Sequence, residues 1–106
     1  MASIYLNNLS TDERFKLINE LHTIQNGKCF ITGDEIDISL HKNSLDIDHV
    51  IPTKLGGKDE KSNFALTFAS ANRSKQASDL NLARIIHSYL KIEDNIFIFY
   101  FLYYHK

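Results

Sequence analysis

Residues 45–75 read LDIDHVIPTKLGGKDEKSNFALTFASANRSK, and the fold follows from how the pattern changes along them. Leu45-Asp46-Ile47-Asp48 alternates apolar and acidic residues, as a half-buried strand does. Val50-Ile51 prolongs the extended run, and Pro52 ends it. Thr53 to Ser62 combines Gly56-Gly57 with charged residues, which predicts an exposed loop. Phe64-Ala65-Leu66-Thr67-Phe68 reads as a short strand returning to the first. Ser70 then opens a helix that the pattern carries to about Ile92, with Ala77, Leu80, Ala83, Ile86 (with Ile85), Tyr89 and Leu90 as its apolar face. Asn72, Lys75 and Asp79 stand at i, i+3 and i+7 and share a different face. A two-stranded ribbon packed on a helix brings the end of the first strand, Asp48 and His49, against the helix start at Asn72. The loop 53–62 then lies over or beside them.

Outward from this stretch the signals are local. Ser10 and Glu13 fit a capping box, and Phe15, Leu17, Ile18, Leu21 and Ile24 follow at helical spacing until Asn26-Gly27 stops the helix. Lys28 to Ile31 is apolar enough for a short strand. Thr32-Gly33-Asp34 is turn chemistry, and Ile36 and Ile38 suggest a second extended piece. Ile96 to Tyr104 is almost wholly apolar or aromatic and reads as a terminal element packed on the core or on a second subunit. The chain contains no internal repeat and no low-complexity linker. The expected fold class is α+β in a single domain over residues 1–106, with a helix before the core, helical segments after it, a core at about 27–92, and the terminal apolar element at 93–106.

With 106 residues, of which 43% are hydrophobic, the chain suits one small domain with a modest core. Its formal net charge of -1 excludes a protein that holds nucleic acid by bulk charge, so any such contact needs a local basic patch. The single cysteine, Cys29, excludes an internal disulfide and a four-cysteine zinc knot, which fits a reducing compartment. Met1 to Asn8 lacks the basic start and long apolar stretch of a signal peptide. The longest apolar run is nine residues, 96–104, against the roughly 20 a membrane helix needs. These features predict a soluble cytoplasmic protein with no membrane partner.

Chemistry is concentrated between Asp48 and Lys75. Asp48-His49, Asn63 and Asn72-Arg73-Ser74-Lys75 put a carboxylate, an imidazole and two carboxamides into one short stretch. Phosphodiester cleavage needs such a set: an oxygen ligand for a hard metal ion, a base for water, and polar groups that hold both. Gly27-Lys28-Cys29-Phe30-Ile31-Thr32-Gly33, Asp46-Ile47-Asp48-His49-Val50-Ile51-Pro52, Gly56-Gly57, Asn63 and Asn72-Arg73-Ser74-Lys75 together resemble the HNH endonucleases. The fit is closest to the variant with Asn at the last position, shared by the HNH domains of RNA-guided CRISPR nucleases. His49 and Asn63 are 14 positions apart, and Asn63 and Asn72 are 9 apart. The resemblance covers about half the chain, from Gly27 to Leu80.

The resemblance implies a ββα-metal core and metal-dependent cleavage of DNA. His49 matches the general base, Asp48 the acidic metal ligand before it, and Asn72 the second protein ligand. Mg²⁺ or Mn²⁺ suits such oxygen donors. Asn63 matches the middle position, which pins the loop and orients the His49 ring. Arg73 and Lys75 match residues that hold substrate phosphate. Lys54 is grouped with them as a nucleic-acid contact, although Lys54, Lys58 and Lys61 among Asp59 and Glu60 also fit a plain solvated loop. Asp46 fits either a carboxylate behind Asp48 or a solvated charge. His22, His41, His87 and His105 have no partner pattern. Thr32 stands where many members of the family carry a zinc-binding cysteine, so no structural zinc is expected. A non-cutting or partner-dependent nucleic-acid-binding module on the same scaffold is the alternative function. Near-neutral charge favours a homodimer, an extra domain or another protein partner for tight DNA binding.

Overall fold

The computed structural model describes residues 3–74 and 79–91. Lys75, Ala77 and the apolar run 96–104 lie outside them. In chain order the elements are α1 (Ile4–Asn7), α2 (Thr11–Ile24), α3 (Ile38–His41), β1 (Leu45–His49), β2 (Phe64–Phe68) and α4 (Ala69–Ser74). A helix over residues 80–91 follows.

Helix α2 starts where its capping signal stands. Ser10 accepts from the Glu13 amide at 3.1 Å, and Glu13 returns the bond to the Ser10 amide at 2.9 Å. It ends where Asn26 and Gly27 take positive φ, 56° and 72°. Leu17 and Leu21 point into the core, whereas Phe15 and Ile24 are exposed, so the buried stripe is narrower than the periodicity predicted.

The core of the fold is the antiparallel ribbon. Leu45 pairs with Phe68, Asp46 with Thr67, Ile47 with Leu66, Asp48 with Ala65, and His49 with Phe64. Because strand side chains alternate, Leu45, Ile47 and His49 share one face with Phe64, Leu66 and Phe68. Asp46 and Asp48 share the other with Ala65 and Thr67. The outer edge of β2 is covered, which removes a template for aggregation. The Gln25 carboxamide takes both backbone groups of Leu66, at 2.8 and 2.9 Å, and the Phe30 amide also donates to the Leu66 carbonyl at 3.0 Å. Beside it, the buried Cys29 sulfur accepts from the Thr32 and Phe68 amides.

Three local expectations are corrected. The segments at 28–31 and 36–38 are not strands. Lys28 makes one isolated bridge, to Glu35, around a tight turn, and Ile38 begins α3 behind its Asp37 cap. β1 stops at His49, not at Ile51, because Val50 and Ile51 turn their amides to Asn63. The helix drawn from Ser70 to Ile92 does not run through Asp79. That residue forms a bend, and its carboxylate accepts from the amides of Asn81 and Leu82 at 2.7 and 3.2 Å. Such bonding starts a helix rather than continuing one. The new helix is tied to the end of β1 by the Leu80 amide on the Val50 carbonyl, 3.0 Å. Leu80 and Ala83 are buried, while Ile85, Tyr89 and Leu90 are exposed, so its buried face is also narrower than expected.

Candidate active site

His49 closes β1 on the core side of the ribbon, and its relative exposure is only 9%. Burial of an imidazole is tolerable only if its nitrogens are satisfied. Its ring packs on Phe64, the residue directly across the ribbon, with centroids 5.2 Å apart. Its Nε2 lies 2.8 Å from Asp59 Oδ1. Hydrogen bonds from the Ser3 hydroxyl, the Tyr5 amide and His49 hold the Asp59 carboxyl down at about 2, against an ordinary 3.8. At neutral pH Asp59 therefore only accepts, and Nε2 must carry the proton of the contact. In the neutral ring this leaves Nδ1 as the basic nitrogen. Nδ1 stands 4.0 Å from Asp48 Oδ1. Asp48 is on the opposite pleat, and its Oδ1 accepts from the His49 amide at 2.8 Å.

The loop 50–63 is folded back on itself by one side chain. Asn63 Oδ1 accepts from the Ile51 amide at 3.0 Å, and its Nδ2 donates to the carbonyls of Ile51 and Lys58 at 2.9 Å each. The Asn63 carbonyl accepts from Val50 at 2.8 Å. Gly57 fits under this clamp because it has no side chain: a Cβ there would lie 1.8 Å from the Ile51 carbonyl oxygen. Gly56 supplies the left-handed turn before it, at φ 95°. Asn63 thus pins the loop through backbone contacts, while the ring of His49 is oriented by Asp59.

Asn72 lies on α4, which packs against the Asp46–Asp48 face of the ribbon. Its Nδ2 donates to Asp46 Oδ2 at 3.3 Å. Its Oδ1 is buried, with no hydrogen-bond partner among the described residues. The Thr67 hydroxyl, paired across the ribbon with Asp46, is in the same condition. A buried polar oxygen without a partner costs about 1–3 kcal/mol, and both of these lie on the Asp46–Asp48 side of the ribbon. Asp46 is half-buried and accepts from the Asn72 carboxamide. The structure brings Asp48, His49 and Asn63 to one end of the ribbon and ties Asn72 to the same strand through Asp46. Arg73 is exposed beside Asn72 and bonds the Ala69 carbonyl at 3.3 Å. Lys54 is exposed on the loop. Arg84 sits over the Phe30 ring at 3.7 Å and donates to the Phe30 carbonyl, so its position is set by packing.

Sequence reading passed over Asp59 and Ser3. Asp59 stands among lysines in a stretch that looks solvated, and its partners are 10, 54 and 56 positions away. The one available signal was its place two residues after a glycine pair that turns the loop back toward β1.

Comparison with curated proteins finds no match. A family model described as HNH endonuclease matches residues 29–79, a span that includes Asp48, His49, Asp59, Asn63 and Asn72. Through residues 29–79, the chain belongs to the HNH endonuclease family.

Proposed function

We propose that the protein is a metal-dependent DNA endonuclease in which His49 is the general base. The observation that carries this reading is the His49–Asp59 contact, which leaves Nδ1 of a buried imidazole as its proton acceptor on the side of Asp48. Nδ1 takes a proton from water as the water attacks phosphorus. Asp59 holds the ring in the required tautomer and stabilises the imidazolium that forms. Asn63 keeps the loop that carries Asp59 folded against the strand end. Arg73, Lys75 and Lys54 neutralise substrate phosphates. Cleavage on this geometry leaves a 5′ phosphate and a 3′ hydroxyl.

The residues present fit a hard divalent cation. The Asn72 oxygen is buried without a hydrogen-bond partner among the described residues, and together with the Asp48 carboxylate it would offer the oxygen donors that Mg²⁺ or Mn²⁺ takes along with waters and substrate. Such an ion, when bound there, supplies positive charge to the phosphate as the P–O bond breaks.

Nicking of supercoiled plasmid in Mg²⁺ or Mn²⁺ tests the proposal. The expected result is open-circular DNA that EDTA prevents and that DNA ligase reseals, since ligation needs a 5′ phosphate and a 3′ hydroxyl. Tight DNA binding with no cleavage in either metal would favour the non-cutting module instead.

A further inference from the structure

The structure assigns the N-terminal turn, Ser3 to Tyr5, to the active site: it holds Asp59, and through Asp59 it positions His49. This rests on the nuclease reading of His49 and concerns residues outside the matched segment 29–79.

Two routes join the turn to the imidazole. The first is hydrogen-bonded. Ser3 is buried, at 8% exposure, and its hydroxyl donates to Asp59 Oδ1, the same oxygen that accepts from His49 Nε2. The Tyr5 amide donates to Asp59 Oδ2 at 3.0 Å. Both carboxylate oxygens are thus engaged by the turn, which fixes the plane of a side chain carried on a loop. The second route is aromatic. The Tyr5 ring packs on Phe64 at 5.4 Å, and Phe64 packs on His49 at 5.2 Å. An Asp59 without these partners has water to rotate into, and the His49 ring loses the acceptor that selects its tautomer. Ser3 and Asp59 are positioning residues, because neither reaches the reacting atoms.

Ser3 also caps α1, accepting from the Leu6 amide at 3.0 Å, so the test must separate the cap from the contact with Asp59. Ser3→Thr keeps both. Ser3→Asp keeps a good cap but cannot donate, and it sets a second carboxylate against Asp59. Ser3→Ala loses both. For each variant, the tautomer of His49 is read by ¹⁵N ring NMR. Single-turnover nicking of plasmid and DNA affinity are measured on the same preparation. The expected result is an Nε2–H ring and full rate in the native chain and Ser3→Thr. In Ser3→Asp and Ser3→Ala we expect mixed tautomers and a rate lower by roughly 10–100-fold, the usual cost of losing an imidazole's orienting partner, with DNA affinity unchanged. A native ring spectrum and rate in Ser3→Asp would overturn the assignment. A native chain that never cuts contradicts the nuclease reading alone. The ring spectrum then decides the coupling by itself, mixed tautomers in Ser3→Asp supporting it and an unchanged ring refuting it.

Discussion

The two faces of β1 are built to opposite rules. On the face of His49 the carboxylate and carboxamide that hold the ring and its loop are fully engaged, and Nδ1 of the ring is left to accept a proton. Asp59 meets Ser3, Tyr5 and His49, and Asn63 spends its carboxamide on Ile51 and Lys58. On the face of Asp46 and Asp48, two buried oxygens, Asn72 Oδ1 and Thr67 Oγ1, have none among the described residues. A saturated network holds a group in one state, which a base needs. An unsaturated one stores a cost that a ligand can relieve, which a binding site needs. On the proposed reading, one side of the strand is prepared in advance and the other would be completed by the metal ion.

Asn72→Ala probes the unsaturated face and carries the larger effect. We expect Mn²⁺ affinity, read by calorimetry, to fall about 10–100-fold, with cleavage falling alongside. Thermal stability should change little, since the variant gives up a long bond to Asp46 but also removes the orphan oxygen. A large drop in melting temperature with unchanged metal affinity would reverse the assignment of that face.

Asp59→Asn probes the saturated face. It should slow single-turnover cleavage by roughly 10-fold or more while metal and DNA affinity stay native. It should also change acid stability in a defined direction. The Asp59 carboxyl sits at about 2 when folded and at 3.8 ordinarily, so its contribution is complete above about pH 4 and is lost as pH falls toward 2. The stability gap between the native chain and Asp59→Asn, followed by urea melts, should therefore close over that interval. A constant gap down to pH 2 would mean that the contacts of Asp59 do not depend on its charge.

Thr67→Val gives the smallest effect. The swap keeps the branched shape in the middle of β2 and deletes a fully buried hydroxyl that has no partner. The expected gain is about 1 kcal/mol, visible as a rise of a few degrees in melting temperature. A loss of stability would show that the hydroxyl is bonded in solution.

The ribbon was legible because its signals are local. Alternation marks β1, a glycine pair and Asn63 mark the turn back, and the Ser10–Glu13 box marks the start of α2. Asp48, His49 and Asn72 were legible because their spacing resembles a known family. What escaped was set by partners far away in sequence. Asp59 gains meaning only from Ser3 and Tyr5, and Asp46 only from Asn72. Asp79 fits the helical spacing because Asp tolerates both roles; the bonds to Asn81 and Leu82 decide between them. Phe15, Tyr89 and Leu90 fit the helical period but lie beyond the reach of a small core.

The most direct test of the central claim is single-turnover nicking of supercoiled DNA by the native chain and by His49→Ala, with DNA and Mn²⁺ affinities measured in the same samples. The account predicts EDTA-sensitive nicking that falls at least about 100-fold in His49→Ala while both affinities remain within about twofold of native. Equal nicking by the two proteins would contradict His49 as the base, and no nicking by the native chain at saturating metal and DNA would contradict the enzyme itself.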